Sequence, residues 1–205
     1  EATPSPMGDA LVRLLALGER EDAALAEQAE SDRTRLATIR AAREKEADHY
    51  FARHADEWDA LREIHGPEKA SEQALLKVLG DTPPGRLLDI GTGTGRIAEL
   101  LAPHATHIVA LDKSLDMLRV ARARLQKLGP DKVELQQGDF TDLPFPAHHF
   151  DTVLLHQVLH FAQDPALALR EAARVTRPGG RIAVVDLARH ERDELRDRHA
   201  HARLG

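Results

Sequence analysis

The sequence predicts an α/β fold: a doubly wound parallel sheet preceded by a helical extension. Three observations carry this. From Arg86 onward, short apolar runs alternate with amphipathic stretches of helical length, the texture of parallel strands joined by helical crossovers. Residues 21–63 contain neither Gly nor Pro, and their apolar residues recur at helical spacing. No apolar run reaches the length of a membrane span.

The elements follow in chain order. Residues 1–8 hold two prolines and a glycine and read as a flexible lead-in. Asp9 is a plausible N-cap for a short helix carrying Leu11, Leu14 and Leu15 that ends near Gly18. Residues 21–63 read as one long helix, or two with a break near Ser31, ended by Gly66-Pro67. Residues 68–79 form another helix, with Leu75, Leu76, Val78 and Leu79 as its buried side. Strands are expected at 86–91, 107–112, 132–137, 150–155 and 181–186, with helices at about 94–103, 114–128 and 164–176. The domain division is 1–80, helical, and 81–205, α/β.

Composition narrows the function. The 205 residues include no cysteine, which removes disulfides, thiolate metal sites and a cysteine nucleophile. Only 3% of the residues are aromatic, so Leu, Val, Ile and Ala must build the core. The net charge of −6 lies in the first part of the chain: residues 1–65 carry 15 acidic and 9 basic side chains, and the rest carries 19 of each. Neither part clusters positive charge, so nucleic-acid binding by this segment is not expected. There is no leader-like opening, which makes the cytoplasm the default location. The twelve histidines match no zinc spacing, and His199 and His201 lie in an Arg/Asp/Glu/His-rich stretch that reads as a solvated helix face. No metal site is expected.

The strongest motif is Leu87-Leu88-Asp89-Ile90-Gly91-Thr92-Gly93-Thr94-Gly95-Arg96. An apolar strand enters glycines, and a helix starts directly after them. Gly91, Gly93 and Gly95 allow a sharp turn and close approach to a ligand, and the helix N-terminus adds free N–H groups. The spacing is G-x-G-x-G. A dinucleotide fingerprint would need a small residue where Arg96 stands, and no Gly-Lys-Ser/Thr of a phosphate loop is present. Asp112 closes the next strand, 21 residues after Gly91, where a carboxylate can accept from ribose hydroxyls. Gly138-Asp139-Phe140 follows the third strand; Asp139 could accept from an exocyclic amine, and Phe140 could pack on a base.

These motifs together resemble the class I S-adenosylmethionine-dependent methyltransferases over about residues 85–187. Leu88–Gly95 is similar to the family's first motif, Asp112 to its ribose-binding acid and Gly138-Asp139-Phe140 to its adenine segment. Phe150–Leu155 and Glu171–Val185, with Arg177-Pro178-Gly179-Gly180 as a turn, are similar to its fourth and fifth strands. Tyr50–Asp59 resembles the segment that closes over the cofactor. The resemblance implies a Rossmann-like fold, S-adenosylmethionine as cofactor and a small-molecule acceptor. It carries Asp89, Thr92, Lys113, Met117, His156, Tyr50 and Trp58 into the cofactor-binding set with the residues above. A narrower resemblance rests on the long charged helix, Tyr50–Asp59, His156–Phe161 and His199-Ala200-His201. These look like the methyltransferase half of bacterial ArsR-type regulator fusions, which makes a cofactor-sensing module the alternative to an enzyme. The family sheet has seven strands and only five are found, so the chain reads as part of a longer protein.

Several roles stay open between site and scaffold. Asp89 either reaches the cofactor's amino group or orders the turn. Met117, Tyr50 and Trp58 either line the site or pack the core. His156 and His160 follow the fourth strand at the ligand-binding edge. They are the candidate catalytic residues if the acceptor must lose a proton, and pocket-lining residues otherwise. The long helix permits a homodimer contact.

Overall fold

The computed structural model describes residues 6–62 and 68–205. The chain forms two compact units, Glu1–Lys45 and Glu46–Gly205. Helix α1 (Pro6–Glu21) opens the chain, so Pro6, Met7 and Gly8 are helical and only residues 1–5 lie outside the described part of the expected lead-in. Asp9 sits inside the first turn of α1 and does not cap it. Helix α2 (Ala23–His54) runs through Ser31 without a break. The interruption comes at Asp22, whose carboxylate accepts from the amides of Ala24 and Leu25, and two orphan donors of the new helix are satisfied there.

A 3-10 turn (Ala55–Glu57), α3 (Trp58–Arg62) and α4 (Glu68–Leu79) lead to the sheet. Gly66-Pro67, expected to end the long helix, lies outside the described residues. Leu75 and Leu79 are buried as expected, but Val78 is 74% exposed. At about 100° per residue, Glu72, Leu76 and Leu79 lie to one side of Leu75 on the helix surface and Val78 lies to the other, off the docked face.

Five parallel strands follow: β1 (Arg86–Ile90), β2 (His107–Asp112), β3 (Val133–Gln137), β4 (Phe150–His156) and β5 (Thr176–Val185), in the order β3-β2-β1-β4-β5. Helices α5 (Arg96–Leu101), α6 (Leu115–Leu125) and α7 (Pro165–Val175) make the crossovers. Alternate side chains feed two cores. Leu87, Ile108 and Leu154 pack with Leu75, Ile97 and Leu125 of α4, α5 and α6 on one face. Leu88, Ile90, Val109 and Val153 pack with Ala172 and Val175 of α7 on the other. Burial on both faces is why these strands read as continuous apolar runs.

Strand β5 starts earlier than expected. Thr176 pairs with Phe150, and the ladder resumes at Arg181 opposite Thr152. The segment Arg177–Gly180, read as a turn, is a bulge inside the strand, where Gly180 lies against the Asp151 carbonyl. The charged C-terminal stretch also differs from a solvated helix. Only Asp193–Arg198 is helical (α8), while Leu195 and His201 are 1% and 3% exposed.

The chain leaves β1 towards β2 and β3, then returns to place β4 on the opposite side of β1. The carboxyl ends of β1 and β4 therefore flank a topological switch point, where open α/β sheets bind ligands.

Candidate functional site

The glycine turn lies at the carboxyl end of β1. All three glycines have positive φ, at 71°, 55° and 79° for Gly91, Gly93 and Gly95. They do different jobs. The amides of Gly91 and Thr92 donate to the Leu111 carbonyl at 2.8 and 2.9 Å, tying the turn to β2. A methyl group on Gly91 would collide with Val158, and one on Gly95 would lie 2.9 Å from Leu125 Cδ1 of α6. Those two permit close packing inside the protein. Gly93 faces the other way: a methyl group there would sit 3.4 Å from Trp58 Nε1. Of the three predicted glycines, the middle one faces the candidate site.

Asp112 ends β2 beside this turn. One carboxylate oxygen accepts from the Gly93 amide and the other from the Ser114 amide, both at 2.8 Å. Burial pushes its pKa up against these two bonds. Ser114 then caps α6 by accepting from Met117 N. Asp89, 1% exposed, accepts the Thr92 hydroxyl at 2.6 Å. Burial, with Asp112 nearby, lifts its pKa to about 6. Asp89 thus orders the turn through Thr92, one of the two roles left open for it.

Beyond β3, Gly138 packs against Leu111 and donates to the Asp112 carbonyl. Asp139 accepts from both the amide and hydroxyl of Thr141 and lies 3.4 Å from Lys113 Nζ. Burial pushes the Asp139 carboxyl up, but these bonds outweigh it and hold the pKa below the usual range. Phe140 is half-buried against the second core.

Tyr50, Trp58 and Met117 come together in one buried cluster with Ala55. The surrounding aromatic network extends further than the sequence suggested. Phe51 packs edge-on to Phe161, with centroids 4.9 Å apart, and the Tyr50 hydroxyl pairs with His199 Nδ1 at 2.7 Å. A narrow cavity is lined by Tyr50, Trp58, Leu61, Phe161, His199 and His201. Burial lowers the pKa of His199, which favours its neutral form. The 3-10 turn and α3 are fastened over the glycine turn. Thr94 Oγ1 donates to Asp59 at 2.7 Å, and Arg124 of α6 pairs with Asp59 and donates to Thr94 Oγ1.

Neither candidate catalytic histidine is itself part of that lining, although His160 touches Phe161 and His201 from behind it. His156, at the end of β4, is 6% exposed, and its Nε2 has no hydrogen-bond partner. Burial, with the Arg62 charge nearby, lowers its pKa to about 4, so it is neutral at pH 7. His160 is 2% exposed, with Nδ1 2.6 Å from Asp186. Its ring lies tilted against that of His201, with centroids 4.3 Å apart, and its carbonyl accepts from the amides of Ala202 and Arg203. His160 therefore anchors the C-terminal segment whatever else it does. Asp186, Phe161 and His199 were missed as site residues because their partners lie far away in sequence. Arg96, whose bulk argued against a dinucleotide, forks onto Glu72 of α4 at 2.7 and 2.9 Å.

Residues 88–184 match a family model described as a methyltransferase domain. The chain is 40% identical over 119 residues to a demethylmenaquinone methyltransferase of Clavibacter sepedonicus, covering 58% of this chain and 46% of that protein. It is 38% identical over 128 residues to a 2-phytyl-1,4-naphtoquinone methyltransferase of Synechococcus elongatus, covering 60% and 55%. The chain spans about half the length of the curated relatives it matches. Among solved structures, the YcgJ protein of Bacillus subtilis superposes with a TM-score of 0.59 at 31% identity, over 66% of this chain and 62% of that one.

The family's cofactor is S-adenosylmethionine, and the donor set here suits it. Asp112 offers half-buried carboxylate oxygens beside Gly93, whose missing side chain leaves room for a close backbone approach. Asp139 and Phe140 follow β3 on the same edge. Motif, strand order and site geometry agree: the segment 88–184 belongs to the class I S-adenosylmethionine-dependent methyltransferases.

Proposed function

We propose that this protein transfers a methyl group from S-adenosylmethionine to a small-molecule acceptor. One observation carries the proposal: Asp112 and the Gly93 amide meet at the switch-point edge of the sheet, roofed by the Tyr50–Trp58–His199 cluster. The bound cofactor supplies an electrophilic methyl on a sulfonium. Asp112 accepts the ribose hydroxyls, while Asp139, Lys113, Phe140 and Met117 border the base and Gly138 lets that segment pack closely on Leu111. Asp89 and Thr92 keep the turn in shape. Tyr50 and Trp58 exclude water, and alignment of acceptor and methyl supplies most of the rate.

A lining built mainly of aromatic rings and without Lys or Arg suits a flat acceptor ring better than a phosphate or a carboxylate. The quinone methyltransferases among the relatives support the same class. Where the acceptor must lose a proton, His160 is the better placed base, because Asp186 orients its Nδ1. His156, held neutral, serves as a polar contact to cofactor or acceptor.

A homodimer belongs to this reading. Leu11, Leu14, Leu15, Leu36 and Ile39 of α1 and α2 are about half exposed or more. Residues 19–32 hold six acids and one base, and residues 33–45 hold five bases and one acid. Two copies of α2 laid antiparallel would match apolar faces and set acidic halves against basic ones. Sedimentation at raised salt would show the dimer weakening.

The decisive experiment incubates the protein with labelled S-adenosylmethionine and a panel of quinols, phenols and amines. Transfer to a ring acceptor is expected. Tight S-adenosylhomocysteine binding with no transfer to any acceptor would overturn the enzyme reading in favour of the cofactor-sensing half of an ArsR-type regulator.

A further inference from the structure

We infer that His199, oriented by Tyr50, donates a hydrogen bond to an oxygen on the acceptor ring and so selects hydroxyl- or carbonyl-bearing rings over amines. This rests on the methyl-transfer reading above and assigns an acceptor contact that no motif covers. The two residues are 149 positions apart. Tyr50 lies near the end of α2, and His199 directly follows α8. Tyr50 is 8% exposed, and its hydroxyl is 2.7 Å from His199 Nδ1. Among the described residues that hydroxyl has no other hydrogen-bond partner. A buried phenol proton without an acceptor is costly, so Tyr50 donates and Nδ1 accepts. Burial raises the Tyr50 pKa, which keeps the proton on the phenol.

That bond fixes the tautomer. A neutral imidazole that accepts at Nδ1 carries its proton on Nε2. Burial disfavours the charged form of His199, and His54, Arg192 and Arg198 add to this against Glu194. The polar atom that His199 brings to the cavity is therefore a donor, Nε2–H. The cavity has room for about one water molecule, enough for an oxygen on a ring and not for the ring itself. Trp58 joins this place to the glycine turn, because its indole also stands over Gly93. A donor set among aromatic side chains discriminates strongly, since an analogue that cannot accept leaves it unpaired. An aromatic amine would set N–H against N–H. An ammonium would add positive charge beside His54, Arg192 and Arg198, the groups that already disfavour charge on His199.

Calorimetry on the full chain, saturated with S-adenosylhomocysteine, tests the assignment with two matched rings, 1-naphthol and 1-naphthylamine. The nitrogen lone pair of the second is drawn into the ring and accepts poorly. The wild type should bind 1-naphthol about 3- to 10-fold more tightly. His199→Phe keeps a ring in the lining and should erase that preference. His199→Gln keeps an N–H donor and should retain part of it. Tyr50→Phe frees the tautomer and should reduce it. Equal wild-type affinity for the two rings, binding of neither, or a preference that survives His199→Phe overturns the assignment. Equal weakening of both rings by His199→Phe would show a packing role alone and overturns it too. If His199→Phe fails to fold, Tyr50→Phe decides by the same selectivity. A chain that binds no S-adenosylhomocysteine sinks the cofactor reading and the assignment with it, whereas a loaded chain without oxygen preference sinks the assignment alone.

Discussion

The Gly93 amide donates to the Asp112 carboxylate at 2.8 Å, so the turn after β1 and the acid at the end of β2 form one unit. Asp112→Ala should remove the ribose contacts and leave the sheet intact. The expected loss of S-adenosylhomocysteine affinity is about 1.5–3 kcal/mol. Calorimetry checks this, and unchanged affinity would refute the role given to Asp112.

The glycines of the turn should separate by phenotype. Gly95→Ala places a methyl 2.9 Å from Leu125 Cδ1 at a φ of 79°. It should cost about 1–3 kcal/mol of stability, read as a lower urea midpoint. Gly93→Ala meets only the edge of Trp58, at 3.4 Å. Its main effect should fall on cofactor affinity. The reverse ranking would show that Gly95, not Gly93, faces the ligand.

Two buried groups should give opposite pH trends. Asp89 has its pKa raised from 3.8 to about 6. The folded state binds its proton more tightly, so this stabilisation is complete below pH 4 and is lost as pH rises through 6. Asp89→Asn, which keeps an acceptor for Thr92, should exceed the wild type in stability at pH 8 by up to about 3 kcal/mol. The gap should close near pH 4. His156 has its pKa lowered from 6.5 to about 4. Its neutral form is favoured in the fold, so stability is lost as pH falls from 6.5 to 4, and His156→Gln should remove that loss. Urea titrations across pH decide both, and pH-independent differences would contradict the assignments.

The C-terminal segment should loosen without global unfolding when its polar anchor is cut. Asp186→Asn weakens the 2.6 Å contact to His160, whose carbonyl holds the Ala202 and Arg203 amides. Those two amides should exchange with solvent about tenfold faster, equivalent to about 1.4 kcal/mol of local stability. Tyr50→Phe should cost about 1 kcal/mol through the lost His199 bond. Unchanged exchange in both variants would mean that the segment is held by apolar contacts alone.

The centre of the sheet was legible because β1, β2 and β4 are buried on both faces and therefore read as apolar runs between turn signals. The glycine turn and Asp112 were legible because their spacing is local. What escaped is polar and distant in sequence. Nothing near Arg62 or Glu72 marks either as buried; Glu72 is covered by Arg96, 24 residues on. The stretch after residue 188 reads as solvated because its charges outnumber Leu195, although that leucine is 1% exposed. The bulge in β5 was mistaken for a turn because Pro178-Gly179-Gly180 is turn chemistry in either setting.

The chain has a single tryptophan, and it is the residue whose indole stands over Gly93. The tryptophan fluorescence of the whole protein thus arises at one place, the roof of the turn. Ligand arrival, roof movement and loss of the Asp59–Thr94 fastening would all change the same emission, so an unlabelled sample reports on its own site.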